Sequence, residues 1–140
     1  MRYLGLDLGT KTLGVAITDK TNTLVSPLKL IKFKNEDYES IIKELNTIID
    51  ENHITDIVLG LPKNMDNSLG FAAKRSMEFK ELLENEGIRV HLEEERLTTV
   101  EALNILKKNG NKNIKEKEQT DILSAVLILE SYLKRIKNEK

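Results

Sequence analysis

The 140-residue chain contains no cysteine. That excludes a disulfide, a thiolate nucleophile and a zinc–thiolate site. No apolar run approaches the roughly 20 residues needed to span a bilayer. The N-terminus enters a strand at once, so no signal peptide is expected. Together these absences point to the cytoplasm and away from a membrane. An excess of positive charge is missing too: 22 Lys and Arg face 23 Asp and Glu, for a net charge of −1, and the sequence pI is near 6.2. A surface that is wholly a nucleic-acid footprint is thereby disfavoured, although a local basic patch beside an acidic site is not. There is no internal repeat and no linker. The composition that remains, 39% hydrophobic and 32% charged, fits one soluble globular domain over residues 1–140.

The chain is organised around its first stretch. Tyr3 to Leu8 alternates, Leu13 to Ile17 carries β-branched residues, and Gly9-Thr10-Lys11-Thr12 between them reads as a hairpin turn. After a second turn at Thr21-Asn22, residues Thr23 to Phe33 read as a third strand, with Pro27 placed at an edge or a bulge. Asn35 is positioned to cap a helix whose apolar stripe is Tyr38, Ile41, Ile42, Leu45, Ile48 and Ile49. His53 after it is expected at the surface. Asp56-Ile57-Val58-Leu59 reads as a buried parallel strand ending in Gly60-Leu61-Pro62. A loop follows, then a helix through Phe71, Phe79, Leu82 and Leu83, capped by Ser68 and stopped at Glu86-Gly87. Ile88 to Leu92 is the fifth strand. A helix through Ala102, Leu103 and Leu106 comes next. The last helix is expected to start near Gln119-Thr120-Asp121, and its tail from Lys134 to fray. The order β-β-β-α-β-α-β-α-α predicts an α/β fold: a five-stranded mixed sheet, three strands antiparallel and two parallel, with helices on both faces.

Candidate chemistry lies in acids at element ends. Asp7 closes the first strand, Glu93-Glu94-Glu95 follows the fifth, and Asp121 opens the last helix. Each has a plain structural reading. Asp7 suits a turn cap, the glutamates a solvated cluster, and Asp121 a complement to the helix dipole, worth about 0.3–1 kcal/mol. The functional reading is a shared site for hard cations, which take oxygen ligands. Two such ions about 3.5–4 Å apart can activate water and stabilise the leaving oxygen of a phosphodiester. Alternatively, Asp7-Leu8-Gly9-Thr10-Lys11-Thr12 looks like the first phosphate loop of the actin, Hsp70 and sugar-kinase group. The polar loop from Lys107 to Glu118 carries five lysines, either merely solvated or in contact with nucleic acid.

Four motifs carry a resemblance. Asp7-Leu8-Gly9-Thr10-Lys11 with Gly14-Val15-Ala16, Gly60-Leu61-Pro62 with Ser68, Glu95-Arg96-Leu97-Thr98-Thr99, and Asp121 with Ser124-Ala125 and Tyr132-Leu133 together resemble the YqgF family. These are bacterial proteins described as Holliday junction resolvases and as pre-16S rRNA nucleases. The resemblance spans nearly the whole chain in order. It implies a ribonuclease H-like fold and a metal-dependent endonuclease with Asp7, Glu95 and Asp121 as catalytic and metal-binding residues for Mg²⁺ or Mn²⁺, two ions in all. Substrate contacts are expected at Lys11, Ser68 and Arg96 of its motifs, and at Lys112 and Lys115 because the lysine loop lies just before Asp121. Its expected partner is nucleic acid, pre-ribosomal RNA ahead of branched DNA, with ribosome association, as a monomer or homodimer. The sequence departs from the family where Lys-Arg-Ile is usual and Lys11-Thr12-Leu13 stands, at Glu94 for the usual Asp, and at Asn67 for a common glycine.

Two other functions compete. An actin-like nucleotide-binding domain needs a second domain to close its cleft, and leaves Glu95 and Asp121 idle; ATP affinity is its discriminator. A non-catalytic RNA-binding module fits the near-neutral charge, and metal-dependent cleavage tests it. Among the three glutamates, Glu94 shares the parity of Ile88, Val90 and Leu92, whereas Glu93 and Glu95 share the other. The family motif selects Glu95, with Glu93→Gln expected to be nearly silent in cleavage.

Overall fold

The computed structural model describes residues 2–34, 37–62, 70–94 and 114–138, with 114–120 as helical backbone only. Alternation in the first stretch produces β1 (Tyr3–Leu8) and β2 (Thr12–Thr18). Across their turn the Gly9 N–H donates to the Thr12 carbonyl at 2.8 Å. They pair antiparallel, from Leu4↔Ile17 to Leu8↔Leu13. β3 (Val25–Lys32) runs antiparallel to β2, whereas β4 (Asp56–Leu61) is parallel to β1 and β5 (Arg89–Glu94) parallel to β4. The order across the sheet is β3-β2-β1-β4-β5. The expected mixed α/β sheet is the one found.

Period-two alternation divides its two faces. Leu4, Leu6, Leu8, Leu13, Val15 and Ile17 are buried in the core that also takes Ile41 and Leu45 of α1 (Tyr38–Asn52) and Phe79 and Leu83 of α2 (Phe71–Asn85). The opposite face presents Tyr3, Ala16 and Val58 to Ala125, Ile128, Leu129 and Tyr132 of α3 (Ile114–Asn138). Helices therefore cover both faces. α3 lies close to the sheet because two glycines lack side chains: a Cβ at Gly5 would stand 2.7 Å from the Ala125 carbonyl oxygen, and one at Gly14 2.2 Å from that of Asp121.

Pro27 sits on the edge strand, at a bulge. Val15 pairs with Lys29 and Ala16 with Pro27, so Leu28 is the extra residue. The cap of α1 is Asp37, not Asn35; its carboxylate accepts from the Ser40 N–H at 3.4 Å, the reach a cap needs for a helix opening at Tyr38. Asn35 lies outside the described residues. Exposed His53 ends α1 in the left-handed conformation at φ 55°, its N–H returned to the Ile49 carbonyl. At α2 the cap position is Gly70, with no side-chain bond, and Ser68 lies outside the described residues. Gly87 stops α2 as expected. Its φ of 82° lets its own N–H reach the Glu84 carbonyl at 2.9 Å and the Ile88 N–H that of Leu83 at 3.2 Å. The helix expected through Ala102, Leu103 and Leu106 also lies outside the described residues.

Two expectations for the last helix are corrected. It starts at Ile114, not near Gln119, and it runs through Lys134 to Asn138 without fraying there. The tail is pinned. Arg135 donates from Nε at 3.1 Å and from Nη2 at 2.7 Å to Oε1 of buried Glu93, and Ser131 Oγ donates to Oε2 at 2.8 Å. Glu93→Gln keeps the shape but loses the charge-assisted fork. Arg135 is 48% exposed, and solvent screening lowers the cost to about 1–2 kcal/mol. The expected result is a drop in Tm of about 5 °C. An unchanged Tm would show that α3 is held by its apolar face alone.

At the other end of β4, Asp56 is 1% exposed. Burial pushes its carboxyl up, but His91, whose Nε2 is 2.7 Å from Oδ2, the Thr55 hydroxyl and the Arg89 charge at 3.7 Å outweigh burial and hold it below the usual carboxylate range. A depressed carboxyl stabilises the fold above its unfolded pKa of about 3.9 and loses that contribution as pH falls through its folded value. Tm should therefore drop with acid below about pH 4, and Asp56→Asn should flatten that limb in a thermal-melt series. An identical acid limb in the variant would assign the effect elsewhere.

Candidate active site

Asp7 is the one residue of β1 that is not buried. Its cross-strand partner is Gly14, and directly paired residues share a sheet face. On that face the Gly14 backbone meets the backbone of Asp121, since a Cβ there would be 2.2 Å from the Asp121 carbonyl oxygen and 2.7 Å from its carbonyl carbon. The sheet and α3 thus touch without an intervening side chain, and Asp121 comes down on the strand pair that carries Asp7. Two residues before Gly14, and so on the same face, Thr12 Oγ1 donates to Asp121 Oδ2 at 2.5 Å. Asp121 lies about two turns inside α3. The expectation that it opens the helix is overturned, and with it the dipole explanation, which acts only within the first turn.

The glutamates separate by parity as expected, with the strand continuing through Glu94. Glu93 faces α3 and is occupied by Ser131 and Arg135. Exposed Glu94 pairs in register with Leu61 and follows the parity of Val90 and Leu92, which pack in the α1–α2 core. Glu95 lies outside the described residues, as do Ser68, Arg96 and Lys112; of Lys115 only the helical backbone is described. Lys11 is exposed in the β1–β2 turn, and its carbonyl accepts from the Phe33 N–H at 2.9 Å. Among the described residues no group of three or more His, Cys, Asp or Glu comes together.

The sequence reading missed Thr12 and the close approach at Gly14. A signal for the second was present, because glycine inside a strand often marks a place where another backbone approaches. Asp7 and Asp121 bring oxygen donors to one end of the sheet, at the C-terminal ends of the parallel strands β1, β4 and β5. Oxygen donors without nitrogen or sulfur suit a hard divalent cation.

A family model described as "RuvX: Holliday junction resolvase" matches residues 1–135. The chain belongs to the RuvX family. Its relatives include proteins named "Putative pre-16S rRNA nuclease". One from Onion yellows phytoplasma (strain OY-M) is 45% identical over 136 residues, covering 96% of this chain and 89% of the relative. Another from Geobacillus sp. (strain WCH70) is 43% identical over 134 residues, covering 95% and 97%. Among solved structures, T. thermophilus RuvC in complex with a Holliday junction substrate aligns with a TM-score of 0.58 at 13% identity, covering 97% of this chain and 96% of that one. The fowlpox virus resolvase with its Holliday junction DNA aligns at 0.61 and 15%, covering 97% and 99%. At such identities the likeness shows the fold, and the ribonuclease H-like architecture expected of this RuvX chain is borne out.

Proposed function

We propose that this chain is a metal-dependent endonuclease built on one ribonuclease H-like domain. In this reading it acts in the cytoplasm on the 5′ end of pre-16S ribosomal RNA, in association with the ribosome. The observation that carries it is the seating of Asp121 against Gly14, with its carboxylate held by Thr12, on the face that Asp7 shares. Asp7, Asp121 and Glu95 are assigned as ligands of Mg²⁺ or Mn²⁺, which when bound supplies an activated water and charge stabilisation at the leaving oxygen. Lys11, Ser68, Arg96, Lys112 and Lys115 are assigned to substrate phosphates. The names of the relatives favour ribosomal RNA.

The family description favours a second reading, cleavage of branched DNA. A four-way junction is two-fold symmetric and would call for a homodimer, whereas an RNA end needs only a monomer. The deciding experiment incubates a precursor rRNA end and a four-way DNA junction side by side with Mg²⁺ or Mn²⁺, using Asp121→Asn as control. Cleavage of RNA that stops with EDTA and in the variant supports the first reading. Cleavage of neither substrate, or cleavage indifferent to metal, would sink both.

Thr12 supplies a finer check. Its hydroxyl fixes one oxygen of Asp121 and so orients the other. Partners of this kind typically change metal affinity about 10–100-fold. Thr12→Val should raise the Mg²⁺ concentration for half-maximal cleavage, and the dissociation constant by calorimetry, about tenfold, while Thr12→Ser stays near wild type. Equal midpoints in all three proteins would remove Thr12 from the site.

A further inference from the structure

The chain has six aromatic residues, three Tyr and three Phe. Five pack ring against ring: Tyr3 with Tyr132, Phe33 with Tyr38, and Tyr38 with Phe79. The sixth, Phe71, is 86% exposed at the first position of α2. Its neighbour is a cation, with Lys74 Nζ 5.9 Å from the ring centroid. Lys74 and Arg75 are three and four residues on, hence on the same side of the helix. Among the described residues neither has an ion-pair partner, whereas Lys80 further along is paired with Glu84. Among the described residues the Phe71 ring joins neither core cluster and no ring pair.

Its place in the fold is informative. α2 ends at Asn85, close before the start of β5 at Arg89, which is the end of the sheet opposite Asp7. Fifteen residues of helix span about 22 Å, so α2 carries Phe71 back to the end where β1 delivers Asp7. An exposed ring beside an exposed lysine and a half-buried arginine, neither ion-paired among the described residues, is the chemistry of single-stranded nucleic-acid contacts: a base stacks on the ring while the cations take the phosphates beside it. A base inside a duplex has both faces already stacked and cannot use such a platform.

We propose that Phe71 is a stacking platform for an unpaired base of the nucleic acid, with Lys74 and Arg75 holding its flanking phosphates. The inference rests on the nuclease reading for its ligand, and it adds that the substrate is single-stranded where it passes α2.

The test uses the full chain in EDTA, so that binding is read without cleavage. Because the protein has no tryptophan, Phe71→Trp introduces a sole reporter at the platform. Short oligouridylate, oligothymidylate and a blunt duplex of the same length are titrated in turn. Tryptophan emission should be quenched by a single strand and not by the duplex, and the tighter of the two single strands identifies RNA or DNA as the source. Phe71→Ala should weaken single-strand binding about tenfold and leave duplex binding within about twofold. Replacing Lys74 and Arg75 by Gln should reduce the log–log salt slope by about one unit per lost contact. Unchanged emission at saturating single strand, equal losses for single strand and duplex in Phe71→Ala, or an emission maximum that shifts with protein concentration without any oligonucleotide would each overturn the proposal. Wild-type protein that cuts precursor rRNA while Phe71→Trp shows no quenching would reject the platform and leave the nuclease reading intact. Quenching by a single strand in a protein that cuts nothing would do the reverse.

Discussion

Asp7→Asn is expected to lower metal-dependent cleavage by about a thousandfold, since ions at such a site supply several kcal/mol and each 1.36 kcal/mol is tenfold. In EDTA its Tm should stay within about 2 °C of wild type or rise slightly. The substitution keeps the side chain's shape and removes one charge. Asp7 is only half-buried, between the buried Leu6 and Leu8, so the packing of β1 is untouched. Asp121 is seated on Gly14, the cross-strand partner of Asp7. Without a cation, like charges gathered at one end of the sheet repel, and neutralising one of them relieves that repulsion. Cleavage assays and thermal melts of the same preparation check both halves. A fall of many degrees without metal would return Asp7 to the role of a turn cap, and full activity would remove it from the chemistry.

Gly14→Ala should lose stability and function together. The new methyl would meet backbone atoms, the Asp121 carbonyl oxygen at 2.2 Å and its carbon at 2.7 Å, and no side-chain rotation can make room. α3 cannot simply lift away. It is also seated on Gly5, where a Cβ would be 2.7 Å from the Ala125 carbonyl oxygen, and it is tied to β5 through Arg135 and Glu93. Overpacking of this kind costs about 3 kcal/mol or more, a fall in Tm of about 10 °C. A shift of about 1 Å at Asp121 is enough to cost about a hundredfold in rate. The two variants separate by signature: Asp7→Asn keeps its Tm and loses activity, whereas Gly14→Ala loses both. A wild-type melt and wild-type cleavage in Gly14→Ala would show that α3 does not rest on β2 at this point.

The strands were legible because alternation is a local signal: Tyr3 to Leu8 and Asp56 to Leu59 declare themselves within a few residues. Parity extended the reading to the glutamates and separated Glu93 from Glu94 correctly. The errors came from interactions that do not show in a window. The start of α3 was missed because Lys115-Glu116-Lys117-Glu118 has no apolar stripe; such residues are strong helix formers, but a charged stretch reads equally well as a solvated loop. The tail was expected to fray because the partner of Arg135 is Glu93, 42 positions away. Thr12 resembled a turn residue until its bond to Asp121, 109 positions off, was seen. The cap of α1 fell two residues from Asn35 because Asn and Asp compete for the same duty, and only the backbone decides between them.

The seating of α3 also has a consequence for how the protein is made. Asp7 belongs to β1, and Asp121 to α3, which follows all five strands in the chain. Synthesis proceeds from the N-terminus, so the sheet face bearing Tyr3, Ala16 and Val58 waits uncovered until α3 arrives. A chain stopped before Ile114 has its strands but lacks Asp121 altogether. In the nuclease reading, one of the assigned carboxylates is therefore missing until α3 is made and seated on Gly14.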